Sequence, residues 1–465
     1  MSPRFGPPAG LAGGPHNSRT AALHCSLVMG ISLHSYQNCV YRTRNRFCIR
    51  WTQFWSLATP EPDPVPTPPS PTVLISGASI AGPALAHRLG HHGFRPTVVE
   101  LSPALREGGH AVDFRGDTHL TVLRRMGLLD ELRRLQTGGS PMTFVDQDDA
   151  PLLHLPAAFA GGDIEVLRGD LSRTLHEASL PTTEYVFGDS VTGLTETPDG
   201  VDVTFRRSPP RTFDLVIGAD GIHSHIRRLA FGPEERHVTH LGYYAATWSL
   251  PHHPHPDPRP GSVGYNAPGR LASVGTGHAN PARAGAFFLF ASPELTYDRH
   301  DPDAQKALLE AAFAGLPWRV RQLLDTLPAA QDLYFDSISR ADVPAWSTGR
   351  IALVGDAACG ATIGGMGTGT GIVAAYVLAT ELARSPGDHR AAFARYESLL
   401  RPYARRCQKG GDRTGPFPSP PPPPSACACA TPFGHPRGMA WMLKQGQKTA
   451  ALKNLPRQPD PAPTR

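Results

Sequence analysis

Apolar and polar positions along this chain fall into two kinds of pattern. Short apolar, β-branched runs stop abruptly at glycine or an acid, at residues 73–76, 96–99, 214–217 and 350–354. Uninterrupted runs of this kind suit parallel strands covered on both faces. Helical stretches follow two of them, one opening after Gly82 and one from about Gly371 to Arg384, rich in Ala, Val, Leu and Tyr. Elsewhere the pattern alternates with period two. Residues 142–155 predict a hairpin with a polar turn at 146–149, and 184–187, 191–195 and 201–205 predict short strands. Residues 242–250, 262–266, 271–274 and 285–290 predict an antiparallel sheet. The expected fold is α/β, a Rossmann-like unit in three pieces (72–140, 166–230 and 335–410) interleaved with a smaller antiparallel-sheet domain (141–165 and 231–334).

Three of the apolar runs end in glycine-containing turns. Residues 73–100 read VLISGASIAGPALAHRLGHHGFRPTVVE. Here Gly77-x-Ser79-x-x-Gly82 is a variant of the dinucleotide fingerprint, in which Gly77 permits the tight turn and Gly82 lets helix and strand approach. Amides of Ser79, Ile80, Ala81 and Gly82 at the helix start can then meet a pyrophosphate. Ser79 replaces the usual middle glycine. Pro83 suits the first helical turn, where its missing N–H costs nothing. Glu100 closes the second strand, about where an acid that binds a ribose 2′-OH is expected. A carboxylate there repels a 2′-phosphate, which favours FAD or NAD over NADP in this position. Taken alone, the segment also suits a βαβ unit that binds no nucleotide.

Residues 214–227 read DLVIGADGIHSHIR, and residues 350–371 read RIALVGDAACGATIGGMGTGTG. Asp356 lies at the carboxyl end of its strand, where open α/β sheets bind ligands. The stretch with Gly364, Gly365, Met366, Gly367, Thr368, Gly369, Thr370 and Gly371 is too glycine-rich to extend a strand. It leaves backbone free for a flat ring, and the following helix directs a positive partial charge back at it. A flexible Gly/Thr linker is the alternative, disfavoured by the strand before and the helix after.

Motif order GASIAG, GADG, GDAA over residues 72–410 resembles the group A flavoprotein monooxygenases, the para-hydroxybenzoate hydroxylase-like aromatic hydroxylases. The resemblance implies that the first motif binds the ADP half of FAD. It implies that Asp220 and Gly221 serve both FAD and the nicotinamide cofactor, and that Gly355 and Asp356 hold the ribityl chain through the aspartate. Arg106 and Asp113 match the family's Arg…Asp pair, with Asp113 touching FAD and Arg106 where NADH or NADPH docks. Arg168 matches an arginine that opens a helix and contacts the cofactor. Many members carry His after GDAA and a Pro soon after. This chain has Cys359, then Gly360, Ala361, Thr362 and Ile363.

The implied chemistry is hydride transfer from NADH or NADPH to FAD. O2 uptake then gives a C4a-hydroperoxide, which passes one oxygen atom to a small aromatic or polyketide-like substrate. No catalytic acid or base is singled out by spacing. The substrate is expected between the antiparallel sheet and the flavin. Tyr243, Tyr244, Tyr265, Asn266, Phe287 and Phe288 are candidates to line it, although strand alternation sends about half of them away. Three other functions fit parts of the pattern: an FAD-dependent reductase or dehydrogenase on the same fold, a non-catalytic flavin- or ligand-binding protein, and an NAD-linked dehydrogenase. The last leaves GADG and GDAA unexplained.

Composition narrows the partners. The 465 residues are 40% hydrophobic and 18% charged, enough for a large core and more than one domain. A net charge of +5 is too small to argue for nucleic acid. No apolar run approaches transmembrane length. Cys25, Cys39, Cys48, Cys359, Cys407, Cys427 and Cys429 give neither a disulfide framework nor zinc spacing, which fits a reducing, cytoplasmic setting. No metal is expected. The His/Pro run at 252–260 is expected to be a surface loop, and the protein a monomer or homodimer. Residues 1–60 hold six arginines and no acid. Residues 1–71 are therefore expected to be a disordered extension and Pro-rich linker rather than a targeting signal. Residues 411–465 are expected to be a Pro-rich, poorly ordered tail.

Overall fold

The computed structural model describes residues 70–105, 111–139, 141–157, 162–251, 261–277, 280–360, 367–414, 451–452 and 454–456. Contacts divide the chain into residues 1–67 and 68–465, and everything described belongs to the second unit. Residues 1–69 of the expected N-terminal extension and the 252–260 run lie outside the described residues.

Strand β1 (Thr72–Ser76) leads into helix α1 (Ala81–His91), and β2 (Arg95–Glu100) returns beside β1. Next come β3 (Ala111–Phe114), α2 (Gly116–Arg125), α3 (Leu129–Arg134) and the hairpin β4 (Met142–Val145) with β5 (Pro151–Leu155). β6 (Ile164–Leu167) pairs antiparallel with β3 and passes into α4 (Arg168–Ser179) and then β7 (Glu184–Phe187). β8 (Val191–Glu196), β9 (Val201–Phe205) and β10 (Arg211–Phe213) form a small antiparallel sheet before β11 (Leu215–Gly218) and α5 (His225–Phe231). The long strands β12 (Val238–Leu250), β13 (Gly261–Ala267), β14 (Arg270–Gly277) and β15 (Asn280–Ala291) follow, then α6 (Pro302–Phe313) and α7 (Val320–Leu324). The chain continues through β16 (Tyr334–Ala341), β17 (Ser347–Thr348), β18 (Ile351–Leu353), α8 (Asp356–Cys359), α9 (Gly367–Ala383) and α10 (His389–Thr414).

Two sheets carry the architecture. The first has the order β17-β18-β11-β1-β2-β7 and is parallel except at β17. Val73, Leu74 and Ile75 are fully buried, in one core with residues of α1 and α9 and with Val191, Val201, Val203 and Phe213 of the β8–β10 sheet, as a parallel sheet covered on both faces requires. α9 is buried along nearly its whole length and packs against α1 and α10. Within that packing Glu381, 2% exposed, accepts from Arg384 at 3.1 Å and Arg395 at 2.8 Å. Tyr396 of α10 donates to the Leu353 carbonyl at 3.0 Å, tying the helix to the end of β18.

The second sheet has the order β16-β12-β15-β14-β13-β4-β5. It is antiparallel except between β13 and β4. Its two faces differ. One buries Tyr244, Trp248, Phe288, Phe290 and Phe335 with Phe313 of α6 and Leu323 of α7. The other carries Phe144, Leu155, Ala245, Leu271, Leu289 and Ile338, with Met142, Leu153, Leu241, Tyr243 and Phe287 only half covered.

Three expectations shift. β16, expected in the cofactor unit from residue 335, pairs with β12 at the edge of the second sheet. Its alternating residues suit a strand with two different faces. The helix expected from about Gly371 begins at Gly367, because the Gly/Thr run is propagated by the strong helix behind it. The tail expected to be poorly ordered from residue 411 instead continues α10 to Thr414. Residues 451–452 and 454–456 are described as well. Leu452 and Leu455 pack on the first core, the Leu452 amide donates to Thr118 Oγ1 at 2.8 Å, and the Pro456 carbonyl accepts from Arg125 at 2.8 Å.

Replacing Tyr396 by Phe leaves the Leu353 carbonyl buried without that donor, which costs about 1–3 kcal/mol. Thermal unfolding should show the loss as a lower Tm, and an unchanged Tm would remove this contact from the account of α10 docking.

Candidate functional site

Sheet register brings the three motifs to one edge. Ser76 stands level with Val99 on β2 and Gly218 on β11, and Gly218 with Leu353 on β18. Gly77, Glu100, Asp220 and Gly355 therefore emerge side by side at the carboxyl ends of four adjacent parallel strands.

Close packing at that edge depends on missing side chains. Gly77 has φ +108°, and a Cβ there would lie 2.5 Å from the Ala219 carbonyl oxygen and 3.0 Å from Asp220 Cα. A Cβ on Gly82 would collide with the Gly77 carbonyl and lie 3.3 Å from Ile75 Cγ2. Gly355, at φ +65°, faces Ala81, whose Cβ would be 3.1 Å from a new one. Gly221, at φ +81°, has open space where its side chain would be.

Ser79 is exposed, and its hydroxyl accepts from Arg168 Nη2 at 3.0 Å. Its carbonyl accepts from Ser172 Oγ at 3.0 Å. The residue that departs from the glycine fingerprint thus fastens the turn to α4. α1 begins at Ala81 after a buried Ile80, with no side-chain cap on its first amides. Glu100 accepts from the Ala78 amide at 2.8 Å and the Ser102 amide at 2.9 Å, which holds its carboxylate against the Gly77–Ser79 turn.

Asp356 opens α8, and its carboxylate has no hydrogen-bond partner among the described residues. Burial raises its pKa, and the nearby Arg168 charge opposes that rise. Arg168 thus links Ser79, through the hydrogen bond, to Asp356, through charge. Cys359 is buried, with its thiol directed at the Gly355 carbonyl at 3.7 Å, and burial pushes its pKa well up. It is a protonated packing residue.

Other predicted residues are placed differently. Asp220 is saturated by protein: its carboxylate accepts from the His225 and Ile226 amides at 2.8 and 3.0 Å, from Ser224, and from Ser76 Oγ at 3.3 Å. It shapes the turn into α5. Asp113 pairs with Arg115. Gly367, Thr368 and Gly369 form the first turn of α9. A Cβ on Gly369 would be 2.7 Å from His119 Nε2, so that face of the glycine is filled from inside the protein. Arg106, Gly365 and Met366 lie outside the described residues. A groove of about 860 Å³ lined by Ser347, Arg390, Phe393, Glu397 and Arg401 contains none of the motif residues.

Among the proposed lining residues, alternation decides. Tyr244 and Phe288 are buried under α6 and α7, and Tyr265 packs on that same face, stacked on Trp318. They are not available to a ligand on the opposite side. Tyr243 and Phe287 belong to the half-covered face, and Asn266 stands directly opposite Leu271 of that face.

Sequence inspection missed Arg227 and His223. Arg227 is fully buried and donates to the Ala357 carbonyl at 3.0 Å and the Ile222 carbonyl at 2.5 Å, joining GDAA to GADG. Its guanidinium also lies 3.6 Å from Glu234. His223 donates from Nδ1 to Glu234 at 2.8 Å and from Nε2 to Asp336 of β16 at 3.0 Å. Burial alone would lower its pKa, but the two carboxylates reverse this and raise it to about 9. The signal was the position of both basic residues just past Asp220, in the turn and first helical turn that its carboxylate caps.

These features suit a flavin dinucleotide. A carboxylate with open hydrogen-bonding capacity stands at the strand ends, an uncapped helix start adjoins it, and the backbone is stripped of side chains where close approach is needed. Such an arrangement defines an FAD-type α/β fold. The family model for the FAD binding domain matches residues 70–257. The chain is 41% identical over 344 residues to the uncharacterized protein Rv1260 of Mycobacterium tuberculosis, covering 72% of this chain and 91% of that one. It is 36% identical over 349 residues to a flavin-dependent monooxygenase of Legionella longbeachae, covering 73% and 87%. The crystal structure of tetracycline destructase Tet(51) superposes with TM-score 0.71 at 29% identity, covering 84% of this chain and all of that one. The chain belongs to the group A FAD-dependent monooxygenases. No described helix is long and apolar enough to cross a membrane.

The His223 bridge gives a pH dependence of known sign. Its folded pKa is raised from 6.5 to about 9. The stability it contributes is therefore complete below about pH 6.5 and lost as pH rises through about 9. Melting curves from pH 6 to 10 should show a fall in Tm across that window that His223→Gln lacks. Parallel curves for the two proteins would contradict the bridge.

Proposed function

We propose that this chain is an NAD(P)H-dependent monooxygenase that holds FAD along the carboxyl edge of the parallel sheet. Its substrate lies on the half-covered face of the second sheet. The level emergence of Gly77, Glu100, Asp220 and Gly355 from four adjacent strands is the observation that carries this reading. Gly77 and the amides of Ser79, Ile80, Ala81 and Gly82 would receive the diphosphate, with Arg168 beside them, and Glu100 the adenosine ribose. Asp356 would accept from ribityl hydroxyls. Gly367, Thr368 and Gly369 would present helix-start amides to the ring, and Gly365 and Met366, just before them in the sequence, keep the role the family pattern suggests. Asp220 would act by holding Gly221 and its turn open. Asp113 and Arg106 keep the roles that the family pattern suggests for them, next to FAD and at the nicotinamide dock.

Bound FAD supplies hydride acceptance from NADH or NADPH and the activation of O2 that inserts one oxygen atom into an electron-rich ring. The protein's share is positioning and exclusion of water. Tyr243 and Phe287 offer an apolar surface and Asn266 an amide for a phenolic or carbonyl oxygen. This combination suits an aromatic or polyketide-like molecule. The likeness to a tetracycline destructase supports the same class.

Asp356→Ala removes hydrogen bonds to a charged acceptor, each contributing about 1.5–3 kcal/mol. FAD titration should therefore show affinity at least about tenfold weaker. Retained FAD and turnover would refute the ribityl assignment. Tyr243→Ala should raise KM for the accepted substrate while leaving FAD affinity unchanged. NADH and NADPH oxidation in air against phenolic and polyketide panels tests the whole scheme. Flavin reduction without oxygenated product would favour a reductase on the same fold.

A further inference from the structure

We propose that His119 is the positioning residue for the first turn of α9. It acts by filling the space that Gly369 leaves, and so sets where the amides of Gly367, Thr368 and Gly369 point. The inference rests on the FAD reading only for what those amides face.

His119 sits in α2, is 1% exposed, and is gripped on several sides. Its Nδ1 accepts from the Arg115 amide at 3.0 Å. The hydrogen therefore resides on Nε2, which donates to the Tyr403 hydroxyl of α10 at 2.8 Å. Phe114 packs edge-to-face against the ring at 6.1 Å. The remaining side is Gly369, where any Cβ would fall within 2.8 Å of both ring nitrogens. Burial lowers the imidazole pKa to about 4, so the ring is neutral and keeps this one tautomer at physiological pH.

The consequence is a rigid support. A ring held by a backbone amide, a buried hydroxyl and an aromatic edge cannot yield, so the backbone at Gly369 takes the position the ring allows. The first amides of a helix have no partner within it, and they carry its positive partial charge. Moving them changes how strongly an adjacent reduced, anionic ring is stabilised. Tyr403 extends the support to its polar neighbours Thr370 and Cys407, so α2, α9 and α10 meet at this imidazole.

The test is a size exchange in the full-length protein with FAD as the probe. Gly369→Ala pushes a methyl into the ring and should weaken FAD binding by about tenfold. His119→Ala should shift the midpoint potential of bound FAD with a smaller loss of affinity. The pair His119→Ala/Gly369→Ala, with room for the methyl, should recover affinity to within about threefold of His119→Ala alone. Tyr403→Phe, which frees the ring from its anchor, should shift the potential in the same direction as His119→Ala. A double variant no better than Gly369→Ala, or a potential unmoved by His119→Ala, overturns the proposal. The apoprotein Tm carries the same comparison without flavin: Gly369→Ala lowers it and the double variant restores it. A wild-type chain that failed to retain FAD would overturn the FAD reading, while the Tm exchange would still decide the His119–Gly369 contact.

Discussion

At the carboxyl edge of the parallel sheet, three turns occupy a space that leaves no room for a side chain at Gly77. Its Cα faces the Ala219 carbonyl, so the turn after β1 and the turn after β11 are in direct backbone contact. α1 can start where it does only because Gly82 lacks a Cβ that would strike Gly77. α9 and β18 approach α1 through Gly355, Ala81 and Gly371. The positions of Ser79, Glu100 and Asp356 follow from this backbone-on-backbone packing. A side chain at either glycine would push apart the turns that carry these residues.

The second sheet is joined to this edge by a charged bridge as well as by backbone contact, the Ala341 amide of β16 donating to the Gly360 carbonyl at 3.0 Å. His223 stands in the turn after β11 and holds Asp336 of the sheet's edge strand, while Glu234 links it to Arg227 and Arg299. Half-buried and doubly hydrogen-bonded, the imidazolium gains from both carboxylates more than desolvation takes away. Ala245 lies opposite Asp336 on neighbouring strands, so the bridge borders the half-covered apolar face. That face has a charged wall on one side and a weakly covered aromatic surface beside it.

Strands and motif positions were legible because they depend on local pattern. β1, β2, β7, β9 and the hairpin of β4 and β5 all lie where apolar period and turn residues put them. What escaped notice depended on distant partners. β16 alternates like many strands, and only its pairing with β12 says which sheet it joins. Gly369 appeared in sequence as backbone bared for a ligand, whereas a histidine from α2 fills that face. Asp220 looked like a ligand-binding acid, and in the fold its carboxylate is used up by the α5 amides. Arg227 and His223 carried only the weak signal of two basic residues after that acid. The split of six aromatic and amide candidates into two faces needed the strand register, which no single strand reveals.

The chain comes back to α2 near its end. Leu452 and Pro456 anchor it to Thr118 and Arg125 of α2. α2 is thus gripped by residues more than three hundred positions away in sequence, and the same helix carries His119 against Gly369. Loss of these few end contacts should therefore be felt at the first turn of α9, although neither Leu452 nor Pro456 belongs to any of the three motifs.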